Sequence, residues 1–251
     1  MGIRIQTKHL RPSSFVRNLY YVIAGLKLCR KYNGKFFDYY PSCANSLCAA
    51  WNMACQPIAL PCTIIDVGAH NSEFARLLLL ISPTAHLISF EPQSECHPLG
   101  KVYRMALSDT NGESTFYAPR GDRYGARLGN DPAPGPDSSR TKEWRVEMRR
   151  FDSLDIDLTS LGKPVLLKVD VEGHELRVLK GFGQQLDHVT HVILEVQNNQ
   201  NRDRDYDALE LYSYLATRGF GHSLCLNAWF DGSNPPAYSD VLFSRQAIFA
   251  R

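Results

Sequence analysis

Glycine is scarce in this chain where a phosphate binder would concentrate it. The turn Asp66-Val67-Gly68-Ala69-His70-Asn71-Ser72 holds one glycine. A dinucleotide site wants G-x-G-x-x-G, so that the backbone can approach a pyrophosphate. No segment resembles a Walker loop either, and a nicotinamide dehydrogenase is therefore disfavoured. Long apolar runs are also missing near the start. The most apolar N-terminal stretch, Leu19 to Leu26, is flanked by Arg17 and Lys27 and falls far short of the ~20 residues that a spanning helix needs. It sits too far in, without a small-residue cleavage site, to read as a signal peptide. Paired cysteines are absent too. The seven cysteines include Cys43, Cys48, Cys55 and Cys62 within 20 residues, yet none of these spacings is C-x-x-C. That pattern argues against a zinc site, and the odd count argues against a disulfide framework. Free thiols in a reducing, cytoplasmic setting are the expectation. There is no internal repeat.

What is present suits a folded domain. The 251 residues are 44% hydrophobic and 22% charged, with a net charge of +2, ordinary values for a globular protein. The charge is uneven. Residues 1–60 carry eight Lys/Arg against the single acid Asp38, while the rest carries 20 basic and 25 acidic residues. We read 1–60 as a basic, partly helical extension with helices at 12–31 and 43–55, and 61–251 as the main domain. The basic helix is either a solvated face or a contact for a membrane surface or anionic partner.

From Cys62 onward strands and helices alternate. Strands are expected at 62–66, 85–90, 102–107, 164–169 and 190–195, and helices at 71–81, 173–181 and 205–218, the last closed by Gly219. An added strand at 114–117 follows the Asn111-Gly112 turn, and 143–151 alternates as an edge strand would. The segment 93–101 is too short for a full crossover helix. The Pro/Gly-rich residues 119–141 cannot hold regular structure and read as a mobile loop beside a site. Strands at 220–226 and 240–249 close the chain as an antiparallel hairpin. The alternation implies an α/β fold: a mostly parallel, twisted sheet with helices on both faces.

Four acids end four of these strands: Asp66, Glu91, Asp170 and Glu195. A carboxylate there is costly to desolvate without a partner, and in open α/β sheets that edge is where ligands bind. Asp66 is available to an ammonium group or a water. Glu91, 25 residues on, lies where nucleotide binders place an acid for ribose hydroxyls. A nucleoside carrying a cation rather than a phosphate describes S-adenosylmethionine. The densest polar cluster is Lys168-Val169-Asp170-Val171-Glu172-Gly173-His174-Glu175. Its histidine is suited to accept a proton near neutral pH, with Asp170 or Glu172 to orient it. Glu175 reads as complementing a helix N-terminus.

Asp66-Val67-Gly68-Ala69, Phe90-Glu91-Pro92, Ala106-Leu107-Ser108-Asp109, Phe151-Asp152-Ser153-Leu154 and the Lys168–Glu175 segment together resemble the FkbM-type methyltransferases. The likeness runs over about residues 62–245. It implies a Rossmann-like class I methyltransferase fold, S-adenosylmethionine as donor, and O-methylation of a hydroxyl on a sugar or secondary metabolite. Asp66, Gly68, His70 and Glu91 would hold the donor, and Ser108 or Asp109 would border its adenine. Asp170, Glu172 and His174 would face the methyl group, with His174 as base. Glu195 and Arg127 would hold the small-molecule acceptor. His70 and Ser72 stand where the family usually has Asn and Gly. A divalent metal on Asp170 and Glu195 is the less favoured alternative to a metal-free site. A methyltransferase-fold binding protein without activity is a second alternative. A nucleic-acid enzyme ranks lower, since no Asn-Pro-Pro-Tyr-type tetrad is present and the catalytic region is acidic.

Overall fold

The computed structural model describes residues 61–119, 126–129, 141–197, 206–229 and 238–246. All lie in the second of two units, Met1–Ala44 and Asn45–Arg251. The helices expected at 12–31 and 43–55, and most of the 119–141 loop, fall outside the described residues.

Seven strands make the main sheet: β1 (Thr63–Val67), β2 (His86–Phe90), β3 (Lys101–Tyr103), β8 (Val165–Val169), β9 (His191–Gln197), β10 (His222–Trp229) and β11 (Tyr238–Ser244). Their order is β10-β11-β9-β8-β1-β2-β3. Strands β3, β2, β1, β8 and β9 are parallel, whereas β11 runs antiparallel to both β9 and β10. The chain winds outward from β1 to β3, then returns to β8 on the other flank of β1. That reversal is the switch point of a doubly wound, Rossmann-like sheet. The closing hairpin is as the alternation predicts.

Alternate strand residues face opposite layers. Ile65, Val67, Leu167, Val169, Val192 and Leu194 pack under α2 (Glu175–Gly181) and α3 (Ala208–Thr217). Ile64, Leu166, Ile193 and Leu242 meet Phe74, Ala75 and Leu78 of α1 (Glu73–Ile81). Helices thus cover both faces. Each such side chain contributes about 1.5–3 kcal/mol by leaving water. On the α1 face, one step of two further along each strand, the apolar columns end in Asp66, Lys168, Glu195 and, on the reversed strand, Asp240.

Three expectations need correcting. The strand expected at 102–107 is two strands in different sheets: β3 pairs with β2, and β4 (Ala106–Leu107) pairs with β7 (Thr141–Arg149). Arg104 sits at the break and donates to the carbonyls of Gln93 (2.6 Å) and Cys96 (2.8 Å), tying it to the β2–β3 connection. The edge strand expected at 143–151 is β7, an inner strand of a second sheet that runs β4, β7, β5 (Gly112–Pro119), β6 (Arg127–Leu128). Its polar alternation reflects a half-solvated, mostly antiparallel sheet. The 119–141 loop contains a regular piece, β6 (Arg127–Leu128), paired with β5 (Gly112–Pro119). The β2–β3 connection holds no helix over 91–100, as its length predicts.

Candidate active site

Lys168 organises the carboxyl edge. Its ammonium lies 3.1 Å from Asp170 Oδ2 and 3.7 Å from Asp66 Oδ1, and donates to the Gly68 carbonyl at 3.4 Å. Burial alone would depress its pKa, but Asp170 and Asp66 more than reverse that and hold it above the ordinary lysine value. Asp66 is 1% exposed, and neither of its carboxylate oxygens has a hydrogen-bond partner. Burial raises Asp66 to about 6, although Lys168 pulls the other way. Asp240 is raised to about 7 by burial and by Asp170. Burial, then Asp170, Glu172 and Asp240, push Glu195 well above the usual carboxylate range. Its Oε2 is shielded from solvent and unpartnered. Lys168 therefore meets Asp66, Asp170 and the field of Asp240, while Glu195 adds a further buried acid to the same edge, a set complementary to an organic cation.

The turns that carry this edge are strained. The three non-glycine residues with left-handed backbone among those described are His70 (φ 45°), Ser72 (φ 58°) and Glu172 (φ 57°). All lie in the turns after β1 and β8. Such conformations cost about 1–3 kcal/mol each and gather at functional sites. Gly68 (φ 73°) permits the two turns to touch, because a Cβ there would stand 1.9 Å from the Asp170 carbonyl oxygen. The space expected for a ligand beside Gly68 is thus taken by backbone. Glu91, buried, accepts from the His70 N–H through Oε2 and from the Gln93 N–H through Oε1, both at 2.8 Å. Burial raises its pKa against those two bonds. Each oxygen keeps a further lone pair. Glu175 is fully buried, and its Oε1 accepts from Val171 and Gly173. It locks the turn from inside rather than complementing an exposed helix end.

His174 leads elsewhere. Its Nε2 lies 2.9 Å from Ser108 Oγ, which in turn lies 3.2 Å from Asp109 Oδ1, and Asp109 pairs with Arg177 at 3.6 Å. Asp170 and Glu172, the expected orienting acids, turn toward Glu195: one oxygen from each of the three lies within 4.8 Å of the others. Three carboxylates form the donor set that a hard divalent cation takes. Of the three, Asp170 already has a cation from the chain itself, the Lys168 ammonium at 3.1 Å.

The structure thus gathers Asp66, Asp170, Glu172 and Glu195 on one edge, with Glu91 one strand away. It places His174, Ser108 and Asp109 together as a separate group. Ser108, 1% exposed, gives its hydroxyl to that group instead of presenting it to an adenine. Arg127 lies in β6, and its side chain is outside the described part. The motif reading missed roles for Lys168 and Asp240. Each was signalled by a lone charge in an apolar strand, Val-Leu-Leu-Lys-Val and Asp-Val-Leu-Phe.

The pattern of the methyltransferase FkbM domain matches residues 66–221 of this chain. The chain is 25% identical over 158 residues to 2-O-methyltransferase NoeI of Sinorhizobium fredii (strain NBRC 101917 / NGR234). That match covers 55% of this chain and 64% of the relative's length. Among solved structures, methyltransferase FkbM from Methylobacillus flagellatus KT aligns at TM-score 0.45 and 13% identity, over 76% of this chain and 45% of that one. Human N-acetylserotonin methyltransferase in complex with SAM aligns at 0.38 and 7% identity, over 81% and 52%. Alignments this loose add nothing to the topology already described.

Proposed function

The chain belongs to the FkbM methyltransferase family, and from that premise we propose that it transfers the methyl group of S-adenosylmethionine to a hydroxyl of a sugar or similar small molecule. The observation that carries this reading is Asp66, a buried carboxylate with both oxygens orphaned beside Lys168. An orphan of that kind is expensive unless a ligand completes it. A cationic, phosphate-free nucleoside fits the acid-rich edge and the single-glycine turn.

When bound, the donor supplies a methyl group on a sulfonium, activated without help from the protein. The chain's own residues do the rest. Asp66 offers its free oxygens to the donor's ammonium, and Glu91 uses its remaining lone pairs on the ribose hydroxyls. Glu195, with Asp170 and Glu172, holds the acceptor. His174 takes the proton from the attacking hydroxyl, work that is typically worth about 10²–10⁴ in rate. Alignment of the two reactants accounts for the larger share of the acceleration.

Titration calorimetry of the full chain with S-adenosylmethionine and with its demethylated product tests the donor assignment. Saturable heat with both is expected. No heat with either refutes the reading. Binding without methyl transfer to any hydroxylated sugar offered would leave the methyltransferase-fold binding protein in its place.

A further inference from the structure

On the α1 face the carboxyl edge carries one polar side chain on each of five neighbouring strands. Asp66 of β1 is in register with Lys168 of β8. Glu195 of β9 stands opposite Asp240 of β11, and Asp240 stands opposite Asn227 of β10. The register of β10 slips between Cys225 and Asn227, a bulge that sets Asn227 rather than Leu226 against Asp240. Bulges beside sites re-aim a side chain in this way. Asn227 Nδ2 then donates to Asp240 Oδ2 at 3.3 Å.

The two halves of this row are balanced differently. Lys168 pairs with Asp66 and with Asp170. Neither Glu195 nor Asp240 has an ion pair among the described residues, and Glu195 Oε2 is closed to solvent with no hydrogen-bond partner. Burial, and after it Asp170, raises both carboxyls, as expected of acids that lack a cation. The donor's ammonium is assigned to Asp66 above, which leaves Glu195 and Asp240 to the acceptor. A hydroxyl would bring one proton and no charge to two adjacent buried acids. An ammonium brings three protons and the charge.

We propose that the acceptor carries an ammonium group, as an amino sugar does, and that Glu195 and Asp240 bind it across the β9–β11 pair while Asn227 orients Asp240. This assignment rests on the methyltransferase reading above and names the class of acceptor. A divalent ion suits these acids less well. On Asp170, Glu172 and Glu195 it would share Asp170 with the Lys168 ammonium, 3.1 Å from that carboxylate, and meet twice the repulsion that a singly charged group meets. A plain or N-acetylated sugar would leave both acids buried without a cation.

Calorimetric titration of the full chain, saturated with the demethylated donor, measures the acceptor site without turnover. The probes are glucosamine, N-acetylglucosamine and glucose. Glucosamine should bind about ten- to hundredfold more tightly than either of the others, the usual share of a charge-assisted contact. Glu195→Gln and Asp240→Asn should each remove most of that margin and leave the Kd of the demethylated donor within about twofold. Should either variant fail to fold, the wild-type comparison of the amine with its N-acetyl form decides alone. Equal affinity for the three, a margin that both variants keep, or no binding of any sugar overturns the proposal. Glucosamine binding that requires added Mg²⁺ overturns it in favour of a metal. Methyl transfer from labelled donor separates the two ideas. Equal transfer to glucosamine and to glucose sinks the ammonium assignment alone, whereas a chain that gives no heat with the demethylated donor sinks the reading beneath it.

Discussion

The carboxyl edge of the sheet handles charge differently on its two faces. On the α1 face, Asp66, Lys168, Glu195 and Asp240 end the apolar columns, and several of their carboxylates are raised in pKa by burial. On the α2 face, His174, Ser108, Asp109 and Arg177 form a short line of hydrogen-bonding groups. The first arrangement suits recognition of a cation, because buried carboxylates without full partners gain most from one. The second holds one imidazole among hydrogen-bonding groups, and an imidazole is the side chain most ready to take up a single proton near neutral pH. Binding and proton transfer should therefore separate cleanly by mutation.

The largest expected effect lies on the α2 face. His174→Ala should lower kcat about 10²–10⁴-fold, the usual contribution of a general base. The donor Kd measured by calorimetry should stay within about twofold, since the relevant contacts on the α1 face are intact. Unchanged turnover would take His174 out of the mechanism, and a matching loss of donor affinity would break the division between the faces.

Asp66→Asn should do the reverse. Loss of a charge-assisted contact costs about 1.5–3 kcal/mol, which is about ten- to hundredfold in donor Kd. The same variant should be more stable than the wild type. The folded-state pKa of Asp66 is raised from 3.8 to about 6. Between about pH 4 and 6 the native protein then binds more protons than the unfolded chain, so stability falls as pH rises through that window and stays reduced above it. Removing the charge should recover on the order of 1–3 kcal/mol at about pH 8, read as a rise in denaturant midpoint. A destabilised Asp66→Asn would mean that Lys168 depends on Asp66 more than Asp66 suffers from burial.

Acidification gives a smaller effect with the same logic. As pH falls through about 6, Asp66 takes up a proton, and donor affinity should weaken by up to about tenfold per pH unit. Asp66→Asn should abolish that limb, and His174→Ala should keep it. A limb that survives in Asp66→Asn would assign it to another group, Asp240 first, since that carboxyl is raised to about 7.

How much of this could be read in advance depended on whether a property is local. Strands such as Thr63–Val67 and Val165–Val169 are largely apolar runs, each carrying one charge near its end, and their placement follows from composition alone. The four strand-end acids were equally visible, because each follows such a run. The split of 101–107 between two sheets was not, since it depends on Arg104 reaching the carbonyls of Gln93 and Cys96, contacts with no periodic signature. The contact of His174 with Ser108 was hidden for the same reason. Ser108 is 66 residues away, whereas Asp170 and Glu172 stand beside His174 in the sequence and turn their carboxylates elsewhere.

The smallest expected effect concerns Ser72, whose backbone is left-handed (φ 58°). Its left-handed backbone should favour glycine by about 1 kcal/mol. The hydroxyl offsets that, because its Oγ accepts from the Leu99 N–H at 2.9 Å, while neighbouring Asn71 Oδ1 accepts from the His97 N–H at 2.9 Å. Both bonds run to the β2–β3 connection, which holds no helix, so Ser72 and Asn71 anchor a crossover that has no helix to pack it. Ser72→Ala keeps the strained backbone and loses the bond, and should cost about 1 kcal/mol. Ser72→Gly loses the bond but relieves the strain, and should fall within about 0.5 kcal/mol of the wild type. Denaturant midpoints of the two variants decide it: equal losses would mean that the Leu99 bond carries the whole effect and the backbone none.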